Sequence, residues 1–176
     1  MTAPVADRRP EFSRVVPLNR LGIDPFRQEL AATEAERAAL ARRFELVSLD
    51  RLTAKIELVR EGGGTIILRA EFDAAFSQTC IVTLDPVPGT VQESFALRYG
   101  PPESDPGDAV LDDDQPAFEP LIGEAIDIGE AVAQEFSLAL PPFPRAEGAV
   151  VEDEAGSETE EGPFAALARL TGRGPR

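Results

Sequence analysis

Two runs of alternating apolar and polar residues constrain the fold of this chain more than any other feature. In LTAKIELVR (52–60) every second residue is apolar, and the same pattern resumes in TIILRAEF (65–72) after the glycine turn EGGG. A period of two is typical of a strand with one buried face. Two such runs around a short glycine-rich turn predict a β-hairpin. The core is therefore expected on one face of an antiparallel sheet.

Further segments predict the rest of the sheet and two helices. AAFSQTCIVTL (74–84) is interpreted as a third strand and TVQESFALRY (90–99) as a fourth. Thr33 and Glu36 have the spacing of a capping box at the start of a helix. A second helix is predicted from Ile128 to Ala139, before prolines that cannot continue it. The predicted fold class is α+β, with an antiparallel sheet of four or more strands packed against two main helices.

Composition divides the chain into three parts. Residues 1–10 are expected to be disordered, and residues 11–145 to form a single α+β domain. The Pro-, Gly- and Asp-rich stretch 100–118 is predicted to be an acidic loop within that domain. Residues 146–176 are expected to be an acidic, flexible tail that ends in a short amphipathic helix.

The charge of the chain is acidic and unevenly distributed. The 176 residues include 17 Lys or Arg and 32 Asp or Glu, for a net charge of −15. Residues 61–162 hold only 3 of those cations and 23 of the acids. Such a segment repels the phosphates of nucleic acids, whose affinity for proteins comes largely from Lys and Arg. A basic protein partner is favoured, because complementary charge speeds encounter and selects the partner.

Composition also limits the chemistry that the chain can perform. It contains no histidine and one cysteine, Cys80, which removes every Ser–His or Cys–His pair and the commonest metal ligand. Cys80 could be a nucleophile, a metal ligand or a buried side chain. Its local sequence offers no electropositive neighbour, and Thr83 stands where a second thiol of a metal site would be. We therefore interpret Cys80 as a small, inert core residue on a strand.

No apolar run is long enough to cross a bilayer and no secretory signal is recognisable. A cytoplasmic protein is expected, without a cofactor or an evident small-molecule substrate. The composition argues against an enzyme, because no nucleophile–base pair is recognisable.

The order of several segments resembles the large ribosomal RNA subunit accumulation protein family, also called YceD-like. The matching segments are SRVVPL, QTCIVTLDPV, VQESFALRY, the acidic loop, IGEAIDIGEAVAQEFSLALPPFPR and PFAALARL. The resemblance implies a non-enzymatic role in making the large ribosomal subunit, through accumulation or processing of its large rRNA. It implies no catalytic residues. Many members have a second cysteine where this chain has Thr83, so a metal site built on that pair would be absent here.

These observations predict a ribosome biogenesis factor whose acidic surface binds a basic ribosomal protein or assembly factor, so that any contact to rRNA is indirect. The candidate contact residues are Asp112, Asp113, Asp114, Asp127, Glu130, Phe136, Pro141, Pro144 and Arg145. The alternative is direct binding of rRNA by the Arg-rich N-terminal region. Its candidate residues are Arg37, Arg42 and Arg43.

Overall fold

The computed structural model describes residues 10–102 and 115–150. The chain divides into two compact units, Met1–Ala146 and Glu147–Arg176, and the described helices and strands all lie in the first. The strands are β1 Val15–Pro17, β2 Phe26–Ala31, β3 Ser48–Arg60, β4 Ile66–Thr79, β5 Pro86–Gly100, β6 Ala117–Pro120 and β7 Ala125–Asp127. The helices are α1 Glu34–Arg43 and α2 Ile128–Ala139. Neither of these helices has the length and apolar character needed to span a membrane.

The strands form one large sheet and one small one. The large sheet has the order β2-β3-β4-β5-β6, and the small one pairs β1 with β7. All neighbours in the large sheet are antiparallel except β5 and β6, which run parallel. The α+β fold class with a mainly antiparallel sheet of four or more strands and two helices is thus confirmed.

The alternating runs form the predicted hairpin. Strands β3 and β4 pair with Leu58 opposite Leu68 and Ala54 opposite Phe72, and all four side chains are buried. Directly opposite residues share a face of the sheet, so this register collects the apolar positions of both strands on one side. The turn Gly62–Gly64 closes the hairpin, with Gly63 at a φ of 72°, a conformation that glycine adopts at low cost.

The number and ends of the strands differ from the sequence prediction in several places. The predicted second and third strands are one strand, β4, because alternation continues unbroken through the buried Phe72, Ala74 and Phe76. Strand β2 was not predicted, because its sequence FRQELA has weak alternation and its pairing with β3 is long-range. Strand β6 starts at Ala117, inside the predicted loop 100–118, and it depends on pairing with β5.

The remaining domain predictions fall partly on residues that the structure does not describe. Residues 1–9, 103–114 and 151–176 lie outside the described part of the chain. The predicted disordered N-terminus, most of the acidic loop and most of the acidic tail with its terminal helix are among them. Those predictions stay predictions.

The two helices occur where the sequence predicts them. In α1 the backbone N–H of Glu36 donates to Thr33 Oγ1 at 3.3 Å, and the backbone N–H of Thr33 donates to Glu36 Oε2 at 2.8 Å. These reciprocal bonds confirm the capping box. In α2 the side chain of Asp127 accepts the first free N–H groups, those of Gly129 and Glu130. Each cap satisfies donors that a helix leaves without an intrahelical partner.

The core lies between the helices and the apolar face of the large sheet. Phe136 of α2 is at its centre, with edge-on ring contacts to Phe44, Phe72 and Phe76 at centroid distances of 5.9, 6.4 and 5.7 Å. Leu40 of α1 is also fully buried. The opposite face of the sheet carries exposed charged residues, including Lys55, Arg69 and Glu71.

Candidate partner-binding surface

Asp127 holds the N-terminal segment against α2. Its carboxylate accepts hydrogen bonds from the Ser13 hydroxyl at 2.5 Å and from the backbone N–H of Arg14 at 2.7 Å. The same side chain accepts the N–H groups of Gly129 and Glu130, each at 3.1 Å. Asp127 thus accepts four hydrogen bonds from within the domain. It caps α2 and is not a carboxylate available to a partner.

Glu130 and Arg43 form an ion pair that joins the two helices. Arg43 Nη2 lies 2.7 Å from Glu130 Oε1, and Arg43 Nη1 lies 2.9 Å from Glu130 Oε2. Arg43 also lies 3.1 Å from the carboxylate of Glu11. These hydrogen bonds, Glu130 first, raise the pKa of Arg43. Glu130 was predicted to contact a protein partner and Arg43 to contact RNA. In the structure these two side chains bind each other.

A second ion pair fixes the start of α1. Arg14 Nη1 lies 2.7 Å from Glu36 Oε1, and Nη2 lies 3.0 Å from Glu36 Oε2. The hydrogen bond from Arg14, followed by those from Thr33, lowers the pKa of Glu36 to about 2. Glu36 thus takes part both in the capping box of α1 and in the ion pair with Arg14.

Two other candidate RNA contacts lie on the same helix. The side chain of Arg37 donates to the backbone carbonyl of Ala32 at 3.1 Å. Arg42 is exposed and has no ion pair with any described residue. Of the three predicted arginines, Arg42 is the one that is exposed and whose side chain has no ion pair or hydrogen bond to a described residue.

Phe136 is a correction to the predicted contact residues. It is 0% exposed and lies at the centre of the core, so no partner can reach it. The four-residue spacing that led to its selection reflects the buried stripe of α2. Asp112, Asp113 and Asp114 lie outside the described residues.

Three carboxylates that the sequence prediction did not select, one each on α2, β5 and β6, lie close enough for two of them to act electrostatically on the third. They are Glu93 of β5, Glu119 of β6 and Glu135 of α2, and we call them the acidic rim. Burial, and then the charges of Glu119 and Glu93, raise the pKa of Glu135. Within the described part of the chain, none of the three has an ion pair with Lys or Arg. The acidic rim is therefore a site of uncompensated negative charge.

Tyr99 lies beside the acidic rim. It is opposite Glu119 in the parallel pairing of β5 with β6. Burial, followed by the charges of Glu119, Asp127 and Glu135, raises the pKa of Tyr99 to about 12. Its phenol stays neutral at physiological pH, so it adds a hydroxyl but no further charge to this surface.

Cys80 is buried, as predicted, but it is not on a strand. Strand β4 ends at Thr79 and β5 begins at Pro86, so Cys80 opens the turn between them. Its sulfur accepts backbone N–H groups from Val82 and Thr83, each at 3.4 Å, and from Ala146 at 3.3 Å. Hydrogen bonds from Thr83, then from Ala146 and Val82, lower the pKa of Cys80 to about 6 although burial opposes them. These hydrogen bonds, rather than a charged neighbour, lower the pKa of Cys80, and the local sequence does not reveal them.

The proline segment after α2 packs on this turn. The side chain of Gln78 donates to the carbonyl of Pro141, and the backbone N–H of Ile81 donates to the carbonyl of Pro144, each at 3.0 Å. Arg145 is exposed. Pro141, Pro144 and Arg145, predicted as contact residues, thus lie together at the β4–β5 end of the domain.

The uncovered face of the large sheet contains an open trough of about 760 Å³. Its lining alternates in charge across the strands: Arg27 lies 2.6 Å from Glu57, and Lys55 is in register with Glu29 and Glu71. Such cross-strand pairs are typical of a solvated sheet surface. In the described ranges, no group of three or more His, Cys, Asp or Glu could hold a metal ion.

Comparison with known proteins identifies one match. A family model described as "Large ribosomal RNA subunit accumulation protein YceD" matches residues 68–171, which is more than half of the chain. The matched region runs from strand β4 through α2 and so includes Cys80, the acidic rim and the proline segment. No curated protein and no solved structure matches the chain.

Proposed function

The chain belongs to the YceD family of large ribosomal RNA subunit accumulation proteins, and from this premise we propose that it binds a basic ribosomal protein or assembly factor. In this proposal the protein is a non-enzymatic factor of ribosome biogenesis that acts in the cytoplasm. Accumulation of the large-subunit rRNA then depends on a protein contact rather than on a reaction catalysed by this chain.

The acidic rim is the observation that carries this proposal. Glu93, Glu119 and Glu135 come from three different elements, and the charges of Glu119 and Glu93 add to the effect of burial in raising the pKa of Glu135. Like charges held close together destabilise the free protein. Lys or Arg side chains of a partner would offset that repulsion on binding. Neighbouring carboxylates of the same domain, such as Asp127 and Glu130, are instead satisfied internally.

The overall charge supports the same kind of partner. A net charge of −15 attracts a basic protein over a distance set by the Debye length, about 8 Å at physiological ionic strength. Ribosomal proteins and assembly factors with basic surfaces fit this description. Since complementary charge raises the association rate, binding is expected to weaken steeply with salt.

The test is affinity capture from cell lysate with the acidic rim neutralised. The variant E93Q/E119Q/E135Q removes three negative charges from the acidic rim. The control E29Q/E61Q/E71Q removes three from exposed carboxylates elsewhere on the domain, which have no ion pair with described residues. At low salt, wild type and control should capture a large-subunit ribosomal protein or assembly factor, identified by mass spectrometry, and the rim variant should capture much less.

Two results would contradict the proposal. The first is that wild type recovers no ribosomal or assembly protein at low salt. The second is that the two variants lose the same amount of captured protein, because the effect would then depend on net charge and not on the acidic rim.

Direct contact with rRNA is the second candidate, and the exposed Arg42 favours it. A mobility shift with large-subunit rRNA fragments, compared between wild type and R42E, tests it. A shift that R42E abolishes would support RNA binding. A wild-type protein that shifts none of the fragments at low salt would eliminate it.

A further inference from the structure

Three large apolar side chains are exposed together at the β4–β5 end of the domain. Ile81 is 47% exposed, Leu84 is 75% exposed and Phe143 is 74% exposed. Ile81 and Leu84 lie in the turn after β4, and Phe143 lies between the two prolines whose carbonyls bond to that end of the hairpin. We call these three residues the apolar tip. Single exposed apolar residues are normal on a protein surface, but a local group of them marks a contact site.

The turn that carries the apolar tip is internally braced. The backbone N–H of Cys80 donates to the carbonyl of Asp85 at 2.8 Å, and the N–H of Leu84 donates to the carbonyl of Cys80 at 3.0 Å. The Cys80 sulfur accepts three further N–H groups from the turn and from Ala146. A contact surface that is already ordered before binding loses less conformational entropy in the complex.

Phe143 is held in place from both sides. The carbonyl of Pro141 accepts from Gln78, the carbonyl of Pro144 accepts from Ile81, and Ala146 bonds to the Cys80 sulfur. The segment is thus fastened to the hairpin while the Phe143 ring points to solvent. The hydrogen bonds hold the backbone and leave the aromatic side chain available.

Leu84 adopts a backbone conformation that does not suit leucine. Its φ is 64°, in the left-handed region where glycine and asparagine are favoured and a branched side chain is unfavourable. Its side chain gains little burial in return, since it is 75% exposed. A leucine that is both strained and exposed contributes nothing evident to folding, and strain of this kind occurs preferentially at functional positions.

We propose that the apolar tip is the short-range contact for the basic partner, and this inference rests on the proposed function. The partner's surface would combine an apolar pocket that receives Leu84 and Phe143 with surrounding Lys or Arg residues. A second copy of this chain is disfavoured as the occupant, because two chains of charge −15 repel each other. Charge then brings the partner to the domain, and the apolar tip slows its dissociation.

The test compares tip variants with matched surface variants. L84G and F143S remove side chains of the apolar tip, and I23S and I122S remove apolar side chains elsewhere that are more exposed still, at 102% and 84%. L84G relieves the strain at position 84, so its midpoint of thermal unfolding should not fall. Loss of binding in this variant therefore cannot be attributed to unfolding.

The measurement is the dissociation constant for the large-subunit or assembly protein identified in the capture experiment, purified and titrated at about 50 and about 500 mM salt. At the higher salt, L84G and F143S should each weaken binding about tenfold, as expected for a buried contact residue. I23S and I122S should bind as wild type does. At the lower salt the tip variants should still bind, because the charge attraction remains.

Each other outcome overturns the inference in a recognisable way. Equal binding by tip and control variants would remove the apolar tip from the contact but leave the proposed function standing. If wild type captures no basic ribosomal or assembly protein, the proposed function and this inference fail together. A dimer in light scattering that L84G dissociates would make a second copy the occupant. A fall in the unfolding midpoint of L84G that exceeds the entropic cost of introducing a glycine would mean that Leu84 packs against another part of this chain.

Discussion

Two groups of carboxylates in the domain are used in opposite ways. In the first, which we call the paired network, Glu36, Asp127 and Glu130 each bind hydrogen-bond donors or arginines and so hold the N-terminal segment and both helices together. In the acidic rim, Glu93, Glu119 and Glu135 have no such partners among the described residues. The carboxylates that join the N-terminal segment and the helices are thus paired with donors or arginines. The carboxylates of the acidic rim are not paired, so their negative charge is uncompensated.

Removal of Asp127 should have the largest effect on stability. D127A leaves the N–H groups of Arg14, Gly129 and Glu130 without their acceptor and removes the cap of α2. The loss of a cap and of several part-buried hydrogen bonds should lower the free energy of unfolding by about 2–4 kcal/mol. Chemical denaturation measures it, with the exposed Asp50 as the control: D50A should stay within about 0.5 kcal/mol of wild type. Equal losses for both variants would disprove the role of the paired network.

Replacement of Glu36 by Gln should have a smaller, pH-dependent effect. Gln can keep the capping box but not the ion pair with Arg14, so E36Q should cost about 1–2 kcal/mol at neutral pH. Because the pKa of Glu36 is lowered to about 2, its stabilisation is present above the pKa of an unfolded Glu and is lost as pH falls toward 2. Denaturation at several pH values should show the difference between wild type and E36Q shrinking below about pH 4. A difference that stays constant would contradict this assignment.

Neutralisation of the acidic rim should have the smallest effect and the opposite sign. The pKa of Glu135 is raised, so the folded state favours its protonated form, and stability falls as pH rises from the ordinary Glu value through the raised one. E135Q should therefore stabilise the protein by about 0.5 kcal/mol at neutral pH, with no gain under acid conditions. E71Q, on the opposite face of the sheet, serves as the control. A loss of stability in E135Q would mean that Glu135 has a stabilising partner. The acidic rim would then not differ from the paired network.

The local features of the fold could be predicted from the sequence. The capping box at Thr33 and Glu36 depends on residues three positions apart, and the β3–β4 hairpin depends on alternation around one glycine turn. Asp127 also carried a signal, since an Asp directly before a helical apolar pattern is typical of an N-cap. No sequence pattern predicted its further hydrogen bonds from Ser13 and Arg14, which lie more than a hundred positions away.

The candidate site could be predicted only in part. The acidic character of the surface and the proline segment were accessible from composition, but the acidic rim combines residues from β5, β6 and α2 that no spacing connects. The segment DPVPG (85–89) has the composition of a turn, but Pro86–Gly89 belong to β5, and the turn instead begins at Cys80 and leaves Ile81 and Leu84 exposed. The donors to the Cys80 sulfur include the backbone N–H groups of Val82, Thr83 and Ala146, which residue types do not reveal.

By itself the sequence determined the α+β class, the central hairpin, both helices, the negative charge and the resemblance to the YceD family, because these depend on periodicity, composition and the order of segments along the chain. The tertiary structure decided which carboxylates are paired, which strand Ala117–Pro120 joins and which apolar side chains stay exposed. Those outcomes depend on strand register and on the docking of α2 against the sheet. Both bring together residues whose distance in space is unrelated to their distance in sequence.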